Sequence, residues 1–386
     1  MVKTNLSTSS SNIFEVIKFL KKSLYIFPIF IFLILVNYII DPASLYYRSG
    51  VESLMANIII SGQNIHQPKG YNERVFQKTI IKQLKNIPEI IVLGSSRSMS
   101  IGDNIFLNSK IFNHSVSSST IEDFLFVYEN YLKRKAAPPI VILGLDPWLF
   151  NRSYENSNMT WINEDYLSMR SRLFETRSFF DNFLIPYYIT NLFSPSYFQS
   201  ALTKEELSKI NIEPKEVFPT MEIISKDFIR LKDGRLSYPF KKVNASTDEV
   251  SKAALAEAKK GRFANLEMFY EIDIEYMKTL DLFINFLKLK NTKILIYIPP
   301  YHPDSFQQLK ENIGKKNAFA ANQIFIDLVK KYDLLLIGSM NPEENNLSRD
   351  QFIDSIHIKD SGIEKLFFSN STAINKFLNG HYILPK

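Results

Sequence analysis

Short apolar runs alternate with amphipathic segments along most of this chain. Five of the runs are rich in β-branched residues and end at turn-forming residues, which is typical of strands buried on both faces of a parallel sheet. The longer segments between them have helical spacing, so the pattern predicts an α/β domain with a doubly wound sheet and right-handed crossovers. The predicted strands are 89–93, 110–116, 140–145, 293–298 and 333–337.

The same pattern predicts the helices that connect these strands. An amphipathic helix over 71–86 ends before Pro88, and a second helix begins at Ser119 or Thr120 and runs to about Lys135. Further helices are expected near 51–60, over 248–289 as one long or two broken helices, and over 305–332 with an interruption near 314.

Residues 23–40 form a run of 18 residues without a charged side chain, and Lys18, Lys21 and Lys22 precede it. As a helix this run is about 27 Å long, close to the thickness of the hydrocarbon core of a bilayer. The lysines predict a transmembrane anchor with a cytoplasmic tail, residues 1–22, and a periplasmic or extracellular domain. A cleaved signal peptide is one alternative, but the small-residue cleavage site is lacking. A buried core helix is another, disfavoured by apolarity on every side.

Residues 41–70 are interpreted as a juxtamembrane connector and residues 71–386 as one domain with a large insertion. About 145 residues separate the third and fourth predicted strands, far more than one crossover requires. The insertion, about 148–262, is aromatic and irregular in its first part. The insertion either builds part of a substrate-binding site or forms a subdomain with a small core of its own. Its run Phe183–Ile189 is too short to span a membrane but suits a segment that rests on one, or on a partner.

Composition excludes several classes of function. The chain of 386 residues contains no cysteine, which excludes thiol catalysis, disulfides and cysteine metal sites. Its five histidines show no metal-ligand spacing, so neither a metal nor a cofactor is predicted. The net charge of +6 favours acidic partners such as anionic glycans or lipid headgroups, but no basic block is dense enough for a nucleic-acid surface.

Hydroxyl side chains follow a glycine at the end of the first predicted strand, in the sequence Gly94-Ser95-Ser96. The glycine allows a sharp turn, and the next side chains then lie at the carboxyl edge of the sheet, where open α/β folds bind ligands. A serine at this edge has the position of a nucleophile; the alternative is a plain serine-rich turn. Ser96 is the first candidate, and Ser95 is the second because sequence does not define the turn.

Asp354 and His357 form a second motif close to the carboxyl terminus. They are three residues apart, so a single turn of chain places the carboxylate beside the imidazole. Serine nucleophiles use this pairing, because the carboxylate fixes the ring's tautomer while the ring accepts the serine's proton. The spacing is more informative here because it follows a series of strands that began with the glycine-serine turn.

Together these two motifs resemble the SGNH (GDSL-like) hydrolase superfamily. The closer resemblance is to its membrane-anchored extracytoplasmic acyltransferase branch, found with alginate O-acetylation and lipoteichoic-acid D-alanylation. It covers roughly residues 85–380. The resemblance implies a flavodoxin-like three-layer fold with strand order 2-1-3-4-5. It also implies Ser96 as the nucleophile, His357 as the base and Asp354 as the acid that orients the base.

Two of the family's motifs match imperfectly. Ser118 stands where the family has a glycine, and Asp146 stands where the family has the asparagine of its oxyanion hole. An ionised aspartate donates no hydrogen bond, so another group must stabilise the oxyanion. Arg97 is a candidate donor because it adjoins the nucleophile and is permanently charged. The alternative is that Arg97 pairs with Asp146 or braces the loop.

The expected function is that of a membrane-anchored serine O-acyltransferase or esterase that acts on cell-envelope polysaccharide through an acyl-serine intermediate. The resemblance implies a polytopic membrane-bound O-acyltransferase as a partner, because acyl groups must be exported to an enzyme outside the cytoplasm. An envelope glycan is the expected acceptor. A simple carbohydrate or lipid esterase is one alternative. A non-catalytic SGNH-like binding subunit of an envelope-modifying complex is another alternative. The departures from the family's motifs at Ser118 and Asp146 are compatible with it.

Overall fold

A computed structural model provides the coordinates, and contacts divide the chain into two units. One unit is residues 1–49 with 180–212, and the other is residues 50–179 with 213–386. The described residues are 18, 21–22, 27–40, 50–68, 71–107, 109–153, 159–175, 187–202, 217–261, 263 and 265–378.

A parallel five-stranded sheet forms the centre of the larger unit. Its strands in chain order are β1 (Ile90–Leu93), β2 (Ile111–Asn113), β3 (Ile140–Gly144), β4 (Lys293–Tyr297) and β5 (Leu335–Ile337). They lie in the order β2-β1-β3-β4-β5, and every neighbouring pair is parallel. The predicted α/β class, the parallel sheet and the strand order are therefore confirmed. Each strand is shorter than predicted by one or more residues, at its amino end, its carboxyl end or both.

Both faces of this sheet are covered by apolar side chains, which explains why the strand sequences are unbroken apolar runs. Ile91 and Leu93 of β1 pack into one core, while Ile90 and Val92 point into the other, because alternate residues of a strand face opposite sides. The first core is closed by the helices Ile121–Lys133, Ile274–Leu289 and Lys316–Tyr332. The second is closed mainly by the helices Asp360–Ser369 and Ser371–Leu378.

The predicted helices are present, with shifted ends. The amphipathic helix before β1 is Glu73–Gln83, begun by the side chain of Asn72, which accepts from two backbone N–H groups. Two helices, Thr247–Lys259 and Ile274–Leu289, occupy the segment predicted as one or two. The break near 314 is also present, between Pro303–Glu311 and Lys316–Tyr332. Among the described residues of this unit, the remaining α-helices are Gly50–Ile60, Met159–Phe174 and Phe240–Val243.

A small antiparallel sheet joins the connector to the insertion, and the sequence did not predict it. Asn64–His66 lies between Pro219–Thr220 and Ile229–Arg230, and Leu236–Ser237 completes the sheet. Strands of two or three residues are too short to show a period of two, so the pattern along the chain contains no signal for them. Residues 64–66 are thus part of the folded unit rather than a free linker.

The smaller unit contains the helices Phe27–Ile40, Tyr187–Leu192 and Pro195–Ala201. Residues 23–26 of the predicted anchor and residues 183–186 of the aromatic run lie outside the described residues. Among the helices that the structure describes, none combines the length and the apolarity needed to cross a membrane.

Candidate active site

Close approach of two strand ends shapes the turn that follows β1. A Cβ atom added to Gly94 would lie 2.5 Å from Ser98 Oγ and 3.3 Å from the Cα atom of Gly144 at the end of β3. Only glycine fits between these atoms without displacing them. The chain then turns through a 3₁₀ segment, Ser96–Ser98, at the carboxyl edge of the sheet.

Asn113, at the end of β2, holds this turn from the other side. Its Nδ2 atom donates to the carbonyls of Ser98 and Ile101, at 2.8 Å each, and its Oδ1 atom accepts from the N–H of Ser115. The amide is fully buried, so these bonds are not exchanged with water. Sequence reasoning did not identify Asn113, although its place at a strand end is the signal that marked the serines.

Ser96, His357 and Asp354 form one continuous chain of hydrogen-bonded side chains. Ser96 Oγ lies 2.9 Å from His357 Nε2, and His357 Nδ1 lies 2.9 Å from both carboxylate oxygens of Asp354. The sequence separates the serine from the histidine by 261 residues, so only the fold brings them together. A carboxylate at Nδ1 holds the proton on that nitrogen and leaves Nε2 as the acceptor that faces the serine.

The loop that contains Asp354 holds its carboxylate in place. Asp354 Oδ1 accepts from the N–H groups of Ile356 at 3.0 Å and His357 at 2.9 Å. Burial alone raises the pKa of Asp354, but the neighbouring His357 and these hydrogen bonds outweigh burial and lower the pKa to about 2. Asp354 is therefore ionised throughout the physiological range, as a group that orients an imidazole must be.

Ser96, rather than Ser95, is the hydroxyl that His357 contacts. Ser95 is 1% exposed, accepts from the N–H of Arg97 and donates to Asp146. Ser96 is half-buried, so a substrate can reach its oxygen. The geometry distinguishes the two serines that the sequence left as alternatives.

Arg97 is fully buried beneath the turn and connects three segments. Its Nη1 donates to Asp146 at 2.7 Å, its Nη2 to the carbonyl of Pro299 at 2.8 Å, and its Nε to the carbonyl of Ile356 at 3.2 Å. The guanidinium also lies 4.1 Å from the centre of the Tyr301 ring. With a side-chain exposure of 0%, Arg97 does not face a substrate pocket. The structure places it as a brace, which is the alternative to an oxyanion donor.

Asp146 is the counter-ion of Arg97. Its side chain is 1% exposed, and burial raises its pKa, while Arg97 opposes that shift. A carboxylate so placed accepts from Arg97 and Ser95 and has no proton to donate to an oxyanion. The position at which the resemblance implies an oxyanion-hole asparagine therefore has a structural ion pair instead.

Ser118 adopts the left-handed conformation, with φ of 51°. This is the region that glycine enters without strain, and glycine is the residue that the resemblance implies at this position. Glu73 and Arg74 fix the loop by bonding to the N–H and the carbonyl of Ser117. No acceptor within the described residues takes the backbone N–H of Ser118 or that of Ser96.

Tyr238 packs beside the imidazole of His357 and was not identified from the sequence. Its ring centre lies 5.4 Å from that of His357, and its other side packs on Phe228 at 5.5 Å. Burial raises the pKa of the Tyr238 hydroxyl, so the phenol stays neutral. Tyr238 follows the last strand of the small sheet, and a single tyrosine in an irregular segment gives no signal in the sequence.

The other histidines at strand ends have structural contacts. His114 is buried between Gln77 and Tyr131, and burial lowers its pKa to about 3, so it remains neutral. His302 accepts from the N–H of Asp304 at the start of a helix. Across the part of the chain that the structure describes, no group of three or more acidic or histidine side chains is arranged to hold a metal ion.

No model of a known protein family matches this chain, and no curated protein matches it. The interpretation of the site therefore depends on the arrangement of its own side chains.

Proposed function

We propose that this chain is an SGNH-type serine acyltransferase or esterase, with Ser96 as the nucleophile, His357 as the general base and Asp354 as the residue that orients it. The observation that carries the proposal is the unbroken series of 2.9 Å contacts from Ser96 Oγ through the imidazole to the Asp354 carboxylate. This series fits the distance range that proton transfer requires.

In the proposed reaction, Ser96 Oγ attacks the carbonyl carbon of an acyl ester while its proton moves to His357 Nε2. The tetrahedral intermediate collapses, and the departing alkoxide takes that proton from the imidazolium, leaving the acyl group on Ser96. A hydroxyl of the acceptor then gives its proton to His357 and attacks the acyl-serine; the new ester forms as Ser96 Oγ departs and takes that proton back from the imidazolium. Water in place of the acceptor gives hydrolysis by the same steps.

The oxyanion requires hydrogen-bond donors, and we assign the backbone N–H groups of Ser96 and Ser118. Neither has an acceptor within the described residues, and Ser96 is the first residue of a 3₁₀ turn, where an N–H group has no partner within the turn itself. Each oxyanion donor contributes about 2.7–4 kcal/mol to transition-state stabilisation. Because Asp146 does not act as a third donor, we expect hydrolysis of simple esters to be slow.

Residues 23–40 are proposed to anchor this site outside the cytoplasm, with an envelope glycan as acceptor and a polytopic membrane-bound O-acyltransferase as the source of acyl groups. The charge-free run and the exposed Lys18, Lys21 and Lys22 support the anchor. Tyr238, which is 6% exposed and packs beside His357, supports a site from which water is partly excluded, as transfer to an acceptor requires.

A non-catalytic binding subunit is the second candidate, and one observation favours it. The pair of Arg97 and Asp146 occupies the place where the resemblance implies an amide donor, so a catalytic group of the family is replaced. In this case Ser96 and His357 would contact a ligand without reacting with it.

Labelling with a fluorophosphonate probe, followed by mass spectrometry, tests the proposal. We expect one covalent adduct on Ser96, none in Ser96→Ala, and a retained adduct in Ser95→Ala. An adduct on Ser95 would reverse the assignment of the nucleophile. Absence of any adduct in the folded, membrane-reconstituted protein would favour the binding subunit. Product analysis with an acyl donor and glycan fragments then separates transfer from release of free acid.

A further inference from the structure

The helix Phe27–Ile40 exposes apolar side chains over most of its circumference. Those of Phe27, Ile29 and Ile39 are 61%, 65% and 63% exposed, and successive large side chains on other sides of the helix are similarly uncovered. A folded protein in water rarely leaves so continuous an apolar surface uncovered. Hydrocarbon is the surrounding in which such a surface is stable.

One polar side chain interrupts this helix, and it is the only residue of the helix that is buried. Asn37 is 0% exposed, and its Nδ2 atom donates to the carbonyls of Asn191 at 3.0 Å, Leu192 at 2.9 Å and Ser194 at 3.1 Å. These carbonyls lie where the helix Tyr187–Leu192 ends. The carbonyls of Asn191 and Ser194 also accept backbone N–H groups, from Ser194 and Phe198, so it is the carbonyl of Leu192, the last residue of the helix, that depends on Asn37.

The contact between the two segments extends beyond Asn37. The rings of Phe32 and Phe198 meet edge to face, with their centres 6.0 Å apart. Phe193 and Leu202 of the second segment are 51% and 52% exposed. The segment 187–202 therefore packs along one side of the first helix and adds apolar surface of its own.

We propose that residues 187–202 are embedded in the bilayer beside the helix Phe27–Ile40, so that the insertion makes a second contact with the membrane. The cap supplied by Asn37 is the reason for choosing lipid as the occupant. In water the carbonyl of Leu192 would be hydrated, whereas in hydrocarbon an unpaired carbonyl is costly and is satisfied by a donor within the protein, here Asn37. The inference extends the proposed anchor from one segment to two, and it does not depend on the chemistry at Ser96.

Single cysteines allow a direct test, because the natural chain has none. We would place one cysteine at Phe193, Leu202 or Ile39, with Leu289, which is 73% exposed on the larger unit, as a matched control. Each is labelled with an environment-sensitive fluorophore, and the full chain is reconstituted into phosphatidylcholine–phosphatidylglycerol vesicles that contain nitroxide lipids. We expect strong quenching at 193, 202 and 39, and none at 289.

The outcomes separate this inference from the proposed anchor. Quenching at 39 without quenching at 193 and 202 would overturn the second contact and leave the anchor. Absence of quenching at all three positions would overturn both. The labels at 193 and 202 could instead be protected from an aqueous quencher but not quenched by the nitroxide lipids. That result would assign the surface to a protein partner and overturn the choice of lipid.

The cap itself is tested by Asn37→Leu, which makes the first helix more apolar but removes the three hydrogen bonds. We expect the label at 39 to stay quenched, while the label at 193 loses most of its quenching. Cysteines at Phe32 and Phe198 should be joined by a short bifunctional thiol cross-linker in the otherwise natural chain, and the yield should fall several-fold with Asn37→Leu. Equal quenching at 193 and an equal yield with and without Asn37 would refute its role as the cap.

Discussion

The two sides of the candidate active site are built differently. On one side, Ser96, His357 and Asp354 are polar groups within reach of solvent, with His357 and Asp354 16% and 33% exposed. On the other side, Arg97 and Asp146 are 0% and 1% exposed and pair with each other at 2.7 Å. The first group is accessible to solvent, as the proposed proton transfers require, whereas the second is excluded from solvent.

The two sides together allow a side chain to gain or lose a proton while its position stays fixed. Arg97 follows Ser96 in the chain and bonds to the carbonyl of Ile356, which lies between Asp354 and His357. The buried pair therefore connects the turn that contains Ser96 to the loop that contains His357. A buried ion pair adds little net stability over apolar packing but defines one arrangement, since any other would leave a charge unpaired.

The largest expected effect is on turnover, from loss of the base. His357→Ala should lower the turnover of an activated ester by about 10⁴-fold or more, because the three residues act as a unit. Asp354→Asn added to His357→Ala should cost little further activity. His66→Ala, on the small sheet, is the matched control and should leave turnover unchanged. Retained activity in His357→Ala would assign the chemistry to another group.

The next effect is on stability, from breaking the buried pair. Asp146→Asn should lower the free energy of unfolding by about 3–5 kcal/mol, because Arg97 would remain buried without its counter-ion. The double variant Arg97→Met with Asp146→Asn should recover part of this loss. Asp281→Asn is the control; it breaks the more exposed pair with Lys331 and should cost about 1 kcal/mol or less. Urea denaturation measures all of these, and equal losses at the two sites would contradict a structural role for the buried pair.

The pH dependence of stability distinguishes the proton-exchanging side from the brace. The pKa of Asp354 is lowered to about 2 in the folded state, so its charge stabilises the fold above the unfolded pKa of about 3.9. That contribution is lost as the pH falls through about 2. The difference in unfolding free energy between the natural chain and Asp354→Asn should therefore be constant from neutral pH to about 4 and shrink below it. A difference that does not change with acid would show that the carboxylate is not held as described.

The smallest effect concerns backbone strain at the assigned oxyanion donor. Ser118→Gly should raise the free energy of unfolding by up to about 1 kcal/mol, because glycine adopts positive φ without the strain of a side chain. Ser117→Gly, one residue away and without a positive φ, should lower it instead. Differential scanning calorimetry measures whether each variant is more or less stable than the natural chain. A loss of stability in Ser118→Gly would show that the hydroxyl contributes more than the relief of backbone strain.

Local sequence predicted those parts of the fold that depend on local periodicity. The five strands appear as apolar runs because each is buried on both faces, and their alternation with helices restricts the sheet to a few topologies. Ser96 and the pair Asp354 and His357 were recognised because a strand end and a three-residue spacing are features of the chain itself. The break near Gly314 was visible for the same reason.

Tertiary structure alone decided which groups pair across the chain. Arg97 and Asp146 are 49 residues apart, so no local pattern distinguishes a donor aimed at substrate from a buried brace. Asn37 and Ser194 are 157 residues apart, and only their contact reveals why an asparagine is tolerated in an apolar helix. Periodicity encodes which face of an element is buried, whereas hydrogen bonds and ion pairs depend on which elements meet, and that is determined only when the whole chain has folded.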